Sequence, residues 1–178
     1  MTMAGRLRKF VLTAHVATSV GTLGAVAVFL ALAVAGLASE DAQLVRAVYP
    51  AMDLTARFVV VPLIFAALLI GLVQSLGSPW GLFRHYWVLA KLLLTVFTIV
   101  VLLLQLDGIS TMAGVAAERE LSSADFLGLR RSLRFHAGGG LLVLLLTTIL
   151  SVYKPRGVTR YGWRKQHERA APLPATDT

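Results

Sequence analysis

Four long apolar blocks constrain this chain more than any other feature of its sequence. They cover residues 10–38, 58–76, 86–106 and 135–153, and Lys91 is the only formal charge within them. A transmembrane helix needs about 20 mostly apolar residues, whereas a membrane β-strand alternates in polarity and is about half as long. The sequence therefore predicts an all-α integral membrane protein, an antiparallel bundle of four transmembrane helices.

The composition agrees with a single membrane domain. Of the 178 residues, 57% are hydrophobic and 15% are charged, which is too few charges to cover a soluble domain of this length. We predict a basic N-terminal segment at 1–9, a four-helix domain at 10–153 and a basic tail at 154–178 with a disordered end. The chain has no cysteine, so a disulfide framework and a thiolate metal site are excluded.

The first block also has features of a secretory signal. Arg6, Arg8 and Lys9 precede it, and Gly36-Leu37-Ala38 weakly resembles a cleavage site. The apolar core of a signal peptide has about 7–15 residues, however, and this block is nearly twice as long. We therefore expect the first span to be retained in the membrane.

The distribution of basic residues predicts the topology. With the N-terminus in the cytoplasm, ten Lys and Arg residues lie in inner segments and six lie in outer loops. The inner residues are Arg6, Arg8, Lys9, Arg84, Lys154, Arg156, Arg160, Arg164, Lys165 and Arg169; the outer residues are Arg46, Arg57, Arg119, Arg130, Arg131 and Arg134. Cytoplasmic loops are enriched in Lys and Arg, so both termini are expected in the cytoplasm. The outer cluster at 130–134 opposes this bias and is expected to snorkel to the outer headgroup level.

The charge also indicates which partners to expect. The formal charge of +8 is concentrated at the two termini, beside apolar spans. This placement favours contacts with the bilayer and with anionic lipid headgroups, and argues against nucleic-acid binding. Tyr153, Tyr161 and Trp163 among the tail's basic residues are typical of an interfacial anchor. The sequence leaves a homo-oligomer or a larger membrane complex open.

The connections between the spans are also informative. Residues 77–85 predict a tight turn, which would make spans two and three antiparallel neighbours. Residues 107–133 are expected to form a long loop, in which 122–125 start a short helix into span four.

Ionisable groups within the spans are the first candidates for function, because they are costly in a bilayer and usually face the bundle interior. They are His15, His85, Lys91 and His136. Polar or small residues share their helical faces: Thr18, Ser19 and Thr22 with His15; Thr95, Thr98 and Gln105 with Lys91; Gly139, Gly140 and Thr147 with His136. An alternative is that these stripes serve helix packing alone.

Depth decides which of these groups can meet. At a rise of about 1.5 Å per residue, His15, His85 and Lys91 can converge in the inner half of the membrane, while His136 enters from the outer side. Imidazole nitrogen binds haem iron, and an ammonium pairs with a propionate. We therefore predict a cofactor site in which His15 and His85 are axial ligands of haem b and Lys91 binds a propionate.

Copper is the competing cargo, because imidazole also suits it. The candidate metal ligands are His15, His85 and His136, and the outer histidine could recruit Asp53, Asp107, Met52 or Met112. The spans contain no Ser-His-Asp set, phosphate loop or HExxH pair, so no catalytic residue is predicted.

Four motifs follow one another along residues 8–153: His15 with small residues up to Gly24, Pro62 followed by Gly71, Trp87-Val88-Leu89-Ala90-Lys91-Leu92, and a closing apolar span. Together they resemble a bacterial family of small integral membrane proteins of unknown function related to CopD and HemJ. The resemblance implies a four-helix protein of the bacterial cytoplasmic membrane.

The function that the resemblance implies is divided. CopD-like proteins are linked to copper uptake, and HemJ-like proteins to haem b binding and protoporphyrinogen oxidation, so an enzyme of this kind would be a haem-linked membrane oxidoreductase. HemJ-like proteins use a first-span histidine and a third-span lysine, which correspond to His15 and Lys91. The Trp-containing sequence that follows their first histidine is replaced here by residues 17–21, Ala-Thr-Ser-Val-Gly. The prediction is a multi-pass membrane protein that binds haem b; the alternatives are a non-catalytic structural or accessory subunit and a copper-handling protein.

Overall fold

The structure is a computed structural model that describes residues 4–78, 81–118, 126–155 and 157–170, without the side chains of 166–170. These ranges contain six α-helices and one π-helical segment. They are α1 (Gly5–Ala38), α2 (Ala42–Thr55), the π-helical segment Ala56–Val60, α3 (Val61–Leu76), α4 (Tyr86–Glu118), α5 (Leu127–Tyr153) and α6 (Arg160–Ala170).

The helices α2 and α3 are two parts of one continuous helix, Ala42–Leu76, which we call span two. The backbone stays helical between them, and the N–H of Val61 donates to the carbonyl oxygen of Ala56, five residues back. This wider turn directly precedes Pro62, which lacks an N–H and crowds the preceding helical turn. Span two, α1, α4 and α5 are long and apolar enough to cross a membrane. The predicted all-α four-helix bundle is confirmed.

The four long helices form a closed ring. Helix α1 packs against span two and α5, and α4 packs against the same two neighbours, so α1 and α4 occupy opposite corners. The predicted antiparallel contact between spans two and three is confirmed. We call the end where α1 begins and α5 ends the terminal end, and the opposite end the loop end.

The helices extend further at the loop end than the apolar blocks predict. The prediction of a long loop over 107–133 is wrong for the described residues, because 107–118 continue α4 and 127–133 begin α5. Ile109, Met112 and Ala116 make a buried stripe at helical spacing, so this part of α4 is stabilised by packing. Residues 122–125 lie outside the described ranges.

The main core lies at the loop end. Its buried members come from α1, span two, α4 and α5: Phe29, Ala33, Val45, Val48, Tyr49, Met52, Ala56, Ile109, Met112, Ala116, Leu133 and Ala137. A smaller cluster of Val26, Val60 and Leu144 follows toward the middle of the bundle. The polar candidates at the terminal end therefore lie outside the most tightly packed part of the molecule.

The chain returns to the terminal end after α5 and packs against the start of α4. The N–H of Thr159 donates to the carbonyl oxygen of Arg84 at 2.9 Å, and its Oγ1 donates to that of Phe83 at 2.5 Å. A Cβ on Gly162 would lie 2.5 Å from the carbonyl oxygen of Arg84, so glycine is needed for this approach. Helix α6 occupies part of the predicted basic tail, and its end at 171–178 lies outside the described residues.

Candidate functional site

His15 and Lys91 both lie in the terminal half of the bundle, where Lys91 acts electrostatically on His15. His15 faces Gly71 of α3, where a Cβ would lie 2.9 Å from its Cε1 atom. Its ring also interacts with the backbone of Ala67 and feels the charge of Lys91. Helices α1, α3 and α4 therefore all contribute to the surroundings of this imidazole. A larger residue at position 71 would require the ring to move.

Trp87 connects Lys91 to His85. The Nζ atom of Lys91 lies 5.7 Å from the centroid of the Trp87 ring, within the range of a cation–π contact. The rings of Trp87 and His85 are 6.4 Å apart between centroids. His85 itself lies about 9 Å before Lys91 along α4 and forms a β-bridge with Val158. The structure thus places His85 at the edge of the site, against the C-terminal segment.

Two buried polar atoms in this region have no hydrogen-bond partner in the part of the chain that the structure describes. They are Nδ1 of His15 and Oε1 of Gln74. Leaving such an atom unpaired costs about 1–3 kcal/mol, and a case in a folded protein points to a water, an ion or a ligand. Gln74 was missed by the sequence interpretation, although its position one turn after Gly71 places both on one face of α3.

The hydroxyl groups along the predicted polar stripes bond within their own helices. Thr22 donates to the carbonyl oxygen of Thr18 at 2.8 Å, and Thr98 donates to that of Leu94 at 2.8 Å. Thr147 donates to the carbonyl oxygen of Leu144 at 2.9 Å. Their hydrogens are therefore committed, as the packing alternative expects. These three threonines therefore offer the interior hydrogen-bond acceptors and no free hydroxyl donor.

His136 lies at a different place from His15. It lines a cavity of about 320 Å³ to which α1, span two, α4 and α5 all contribute. Its other polar lining residues are Thr98 and Gln105, and the remaining lining residues are apolar or glycine. His136 lies about 25 Å along α5 from the terminal end, so it does not share a site with His15.

The ligand set for copper receives no support from the geometry. Among the described residues, no three His, Asp or Glu side chains gather as a metal site would need. Met52 and Met112 are fully buried in the loop-end core. Asp53 accepts a hydrogen bond from Arg57 at 2.9 Å, while His136 bonds to Ser132.

Arg130 occupies the loop-end core, and its expected place at the headgroup level is wrong. It is 1% exposed, its Nε atom donates to the Tyr49 hydroxyl at 2.7 Å, and its Nη2 atom donates to the carbonyl oxygen of Gly36. Helix α5 begins already at Leu127, which places Arg130 on the face of Leu133, whereas Arg131 faces outward. The arginine thereby joins α1, α2 and α5.

Comparison with protein-family models, with curated proteins and with solved structures finds no match to this chain.

Proposed function

We propose that this protein binds haem b in the terminal half of its bundle, where His15 would hold the iron. One observation carries the proposal: the buried Nδ1 atom of His15 has no hydrogen-bond partner in the described part of the chain and lies near the ammonium of Lys91. An imidazole nitrogen with a free lone pair is a ligand for haem iron, and an ammonium is a partner for a propionate. The resemblance to HemJ-like proteins supports the same pair of residues.

The residues around His15 fit this cofactor in kind. Trp87 offers a flat aromatic ring beside Lys91, and the close approach of Gly71 fixes the position of the His15 ring. His85 lies just before α4, against Val158, so the proposal does not depend on it to hold the iron. Haem b would supply one-electron chemistry when bound, and the chain's own residues would hold and orient it.

An optical spectrum of the detergent-purified full chain, after expression with haem supplementation, tests this proposal. The wild type is expected to show a Soret band, which His15→Ala removes and Lys91→Ala weakens. His136→Ala is the matched control, because it removes a histidine from the other half of the bundle, and it should leave the band unchanged. A wild type without the band, or a band that survives His15→Ala, refutes the proposal.

We further propose that the chain crosses the bacterial cytoplasmic membrane with both termini inside. The excess of Lys and Arg at the termini supports this orientation, and the burial of Arg130 removes one of the opposing outer charges from the surface. Because the sequence contains no cysteine, a thiol introduced at one position is the only site for a cysteine-specific label. In intact cells a membrane-impermeant maleimide should label Glu40→Cys and not Arg160→Cys, both at exposed positions. The reverse pattern refutes the orientation.

A structural or accessory subunit is the second candidate. The threonine hydroxyls bonded within their own helices favour it, because they show that much of the interior polarity serves the helices themselves. This role predicts that His15→Ala and Lys91→Ala leave both the spectrum and the cellular function unchanged.

A further inference from the structure

The cavity beside His136 has the size and lining of a small-molecule site. Its volume of about 320 Å³ lies at the lower end of the usual range for ligand pockets, about 300–1,000 Å³. Such pockets are mostly apolar and carry a few polar groups that orient the ligand. Here those groups are Thr98 and Gln105 on α4 and His136 on α5.

The hydrogen bonds of His136 determine what its ring offers to the cavity. Nδ1 lies 2.8 Å from the backbone carbonyl oxygen of Ser132 and 3.2 Å from the Ser132 hydroxyl. A carbonyl oxygen only accepts, so Nδ1 carries the hydrogen. In the neutral ring the lone pair is then on Nε2, on the side away from Ser132. His136 therefore has a hydrogen-bond acceptor on that side of its ring, which a ligand with a donor would satisfy.

The α4 side of the cavity offers a different pair of groups. The hydroxyl of Thr98 gives its hydrogen to the carbonyl oxygen of Leu94. The carboxamide of Gln105 has both a donor and an acceptor, and it lies about 28 Å along α4 from Tyr86. This depth is close to that of His136 on the antiparallel α5. A ligand with two oxygens on opposite edges of a ring matches such an arrangement.

The apolar lining of the cavity and its access favour a lipid-soluble molecule. Gly139 and Gly140 line it, and a Cβ at either position would meet nothing within 4 Å, which leaves open space beside the backbone of α5. Phe97 and Phe135 also line it and are 60% and 77% exposed on the apolar surface of the bundle. These two exposed rings connect the cavity lining to the outer apolar surface of the bundle, so a lipid-soluble ligand would reach the cavity from that side.

We propose that this cavity binds a lipid-soluble hydroquinone. One ring hydroxyl donates to Nε2 of His136, the second meets the carboxamide of Gln105, and the apolar tail leaves between Phe97 and Phe135. The oxidised quinone has only acceptor oxygens, so it cannot donate a hydrogen bond to Nε2 of His136. The site thus prefers the reduced form. It is independent of the haem proposal, because it uses none of the residues around His15.

Binding of a decyl-substituted benzohydroquinone and of its quinone to the purified full chain tests this assignment. We expect saturable binding by isothermal titration, with the reduced form about tenfold tighter because it makes one more hydrogen bond. The variants His136→Phe and Gln105→Leu should each weaken binding of the hydroquinone and reduce its affinity advantage over the quinone. The His15→Ala variant should bind the hydroquinone as the wild type does, so this test is separate from the Soret test.

Glycine variants provide a matched pair that leaves the polar groups in place. Gly140→Leu fills the cavity and should abolish binding. Gly138→Leu adds the same side chain on the same helix, at a glycine with equally open surroundings that does not line the cavity, and should retain binding. Gly139→Leu replaces Gly140→Leu if the latter does not fold. Equal affinity for quinone and hydroquinone, equal affinity for decanol, or binding that survives the filled cavity overturns the proposal.

Discussion

Replacing Arg130 by alanine is expected to destabilise the bundle by about 2–6 kcal/mol. The guanidinium donates to the hydroxyl of Tyr49 at 2.7 Å and to the carbonyl oxygen of Gly36. Tyr49 is 2% exposed and Gly36 is buried, so alanine leaves two buried groups without their donor. A buried polar group that loses its partner costs about 1–3 kcal/mol, and two such groups give the stated range.

The neighbouring Arg131 provides the control for this prediction. Arg131→Ala removes the same charge from an exposed position of the same helix, where substitutions usually change stability by no more than about 0.5 kcal/mol. Arg130→Lys should fall between the two, because an ammonium keeps the charge and loses the two-armed geometry of the guanidinium. Reversible unfolding in mixed detergent micelles, followed by circular dichroism, measures the free energy of each variant.

A double-mutant cycle with Tyr49→Phe isolates the side-chain hydrogen bond. A bond to a charged donor contributes about 1.5–3 kcal/mol, and the coupling energy between the two positions should be of that size. Equal unfolding free energies for Arg130→Ala and Arg131→Ala would refute the reasoning. A coupling energy near zero would show that the Tyr49 contact contributes nothing of its own.

Three further substitutions test the terminal half. Gly71→Ala brings a Cβ within 2.9 Å of His15 and should lower the melting temperature, an effect that the double variant with His15→Ala relieves. Gln74→Leu removes a buried oxygen without a partner and should raise the stability of the ligand-free protein by about 1–3 kcal/mol; an unchanged or lower value contradicts this. Gly162→Ala brings a Cβ within 2.5 Å of the carbonyl oxygen of Arg84 and should release α6, which limited proteolysis detects as faster cleavage than in the wild type.

The spans could be predicted because a bilayer leaves the backbone few alternatives. Unpaired N–H and C=O groups are too costly in lipid, so a long apolar block has to be a helix. The loop-end extensions follow a different rule. Val45, Val48, Tyr49 and Met52 form a buried face of α2 at helical spacing, and this face packs against other helices. A search for apolar blocks of about 20 residues misses such amphipathic helices, although the spacing itself is readable.

The candidate site and its surroundings likewise combine features that the sequence predicts with features that it does not. The matched depth of His15 and Lys91 follows from counting residues along two helices, α1 and α4, that both start at the terminal end. The place of Arg130 does not follow in this way, because it depends on where α5 begins. In the sequence, Gly36 stands out only as part of a weak cleavage signal. In the structure Gly36 provides the close approach to Tyr49 and the carbonyl that Arg130 binds. Such roles arise from contacts between helices that are distant in the chain, and no local sequence pattern indicates those contacts.

The two halves of the bundle differ in how completely their buried polar groups are paired. The loop half holds Met52, Ala56, Met112 and Ala116 without measurable exposure, together with the buried hydrogen bonds of Arg130. The terminal half keeps buried polar atoms without partners in the described part of the chain, which lowers its own stability. Such atoms persist only where the rest of the fold holds them in place, and they concentrate at functional sites. A ligand that pairs with His15 would remove this penalty, so its binding should stabilise the terminal half more than the loop half.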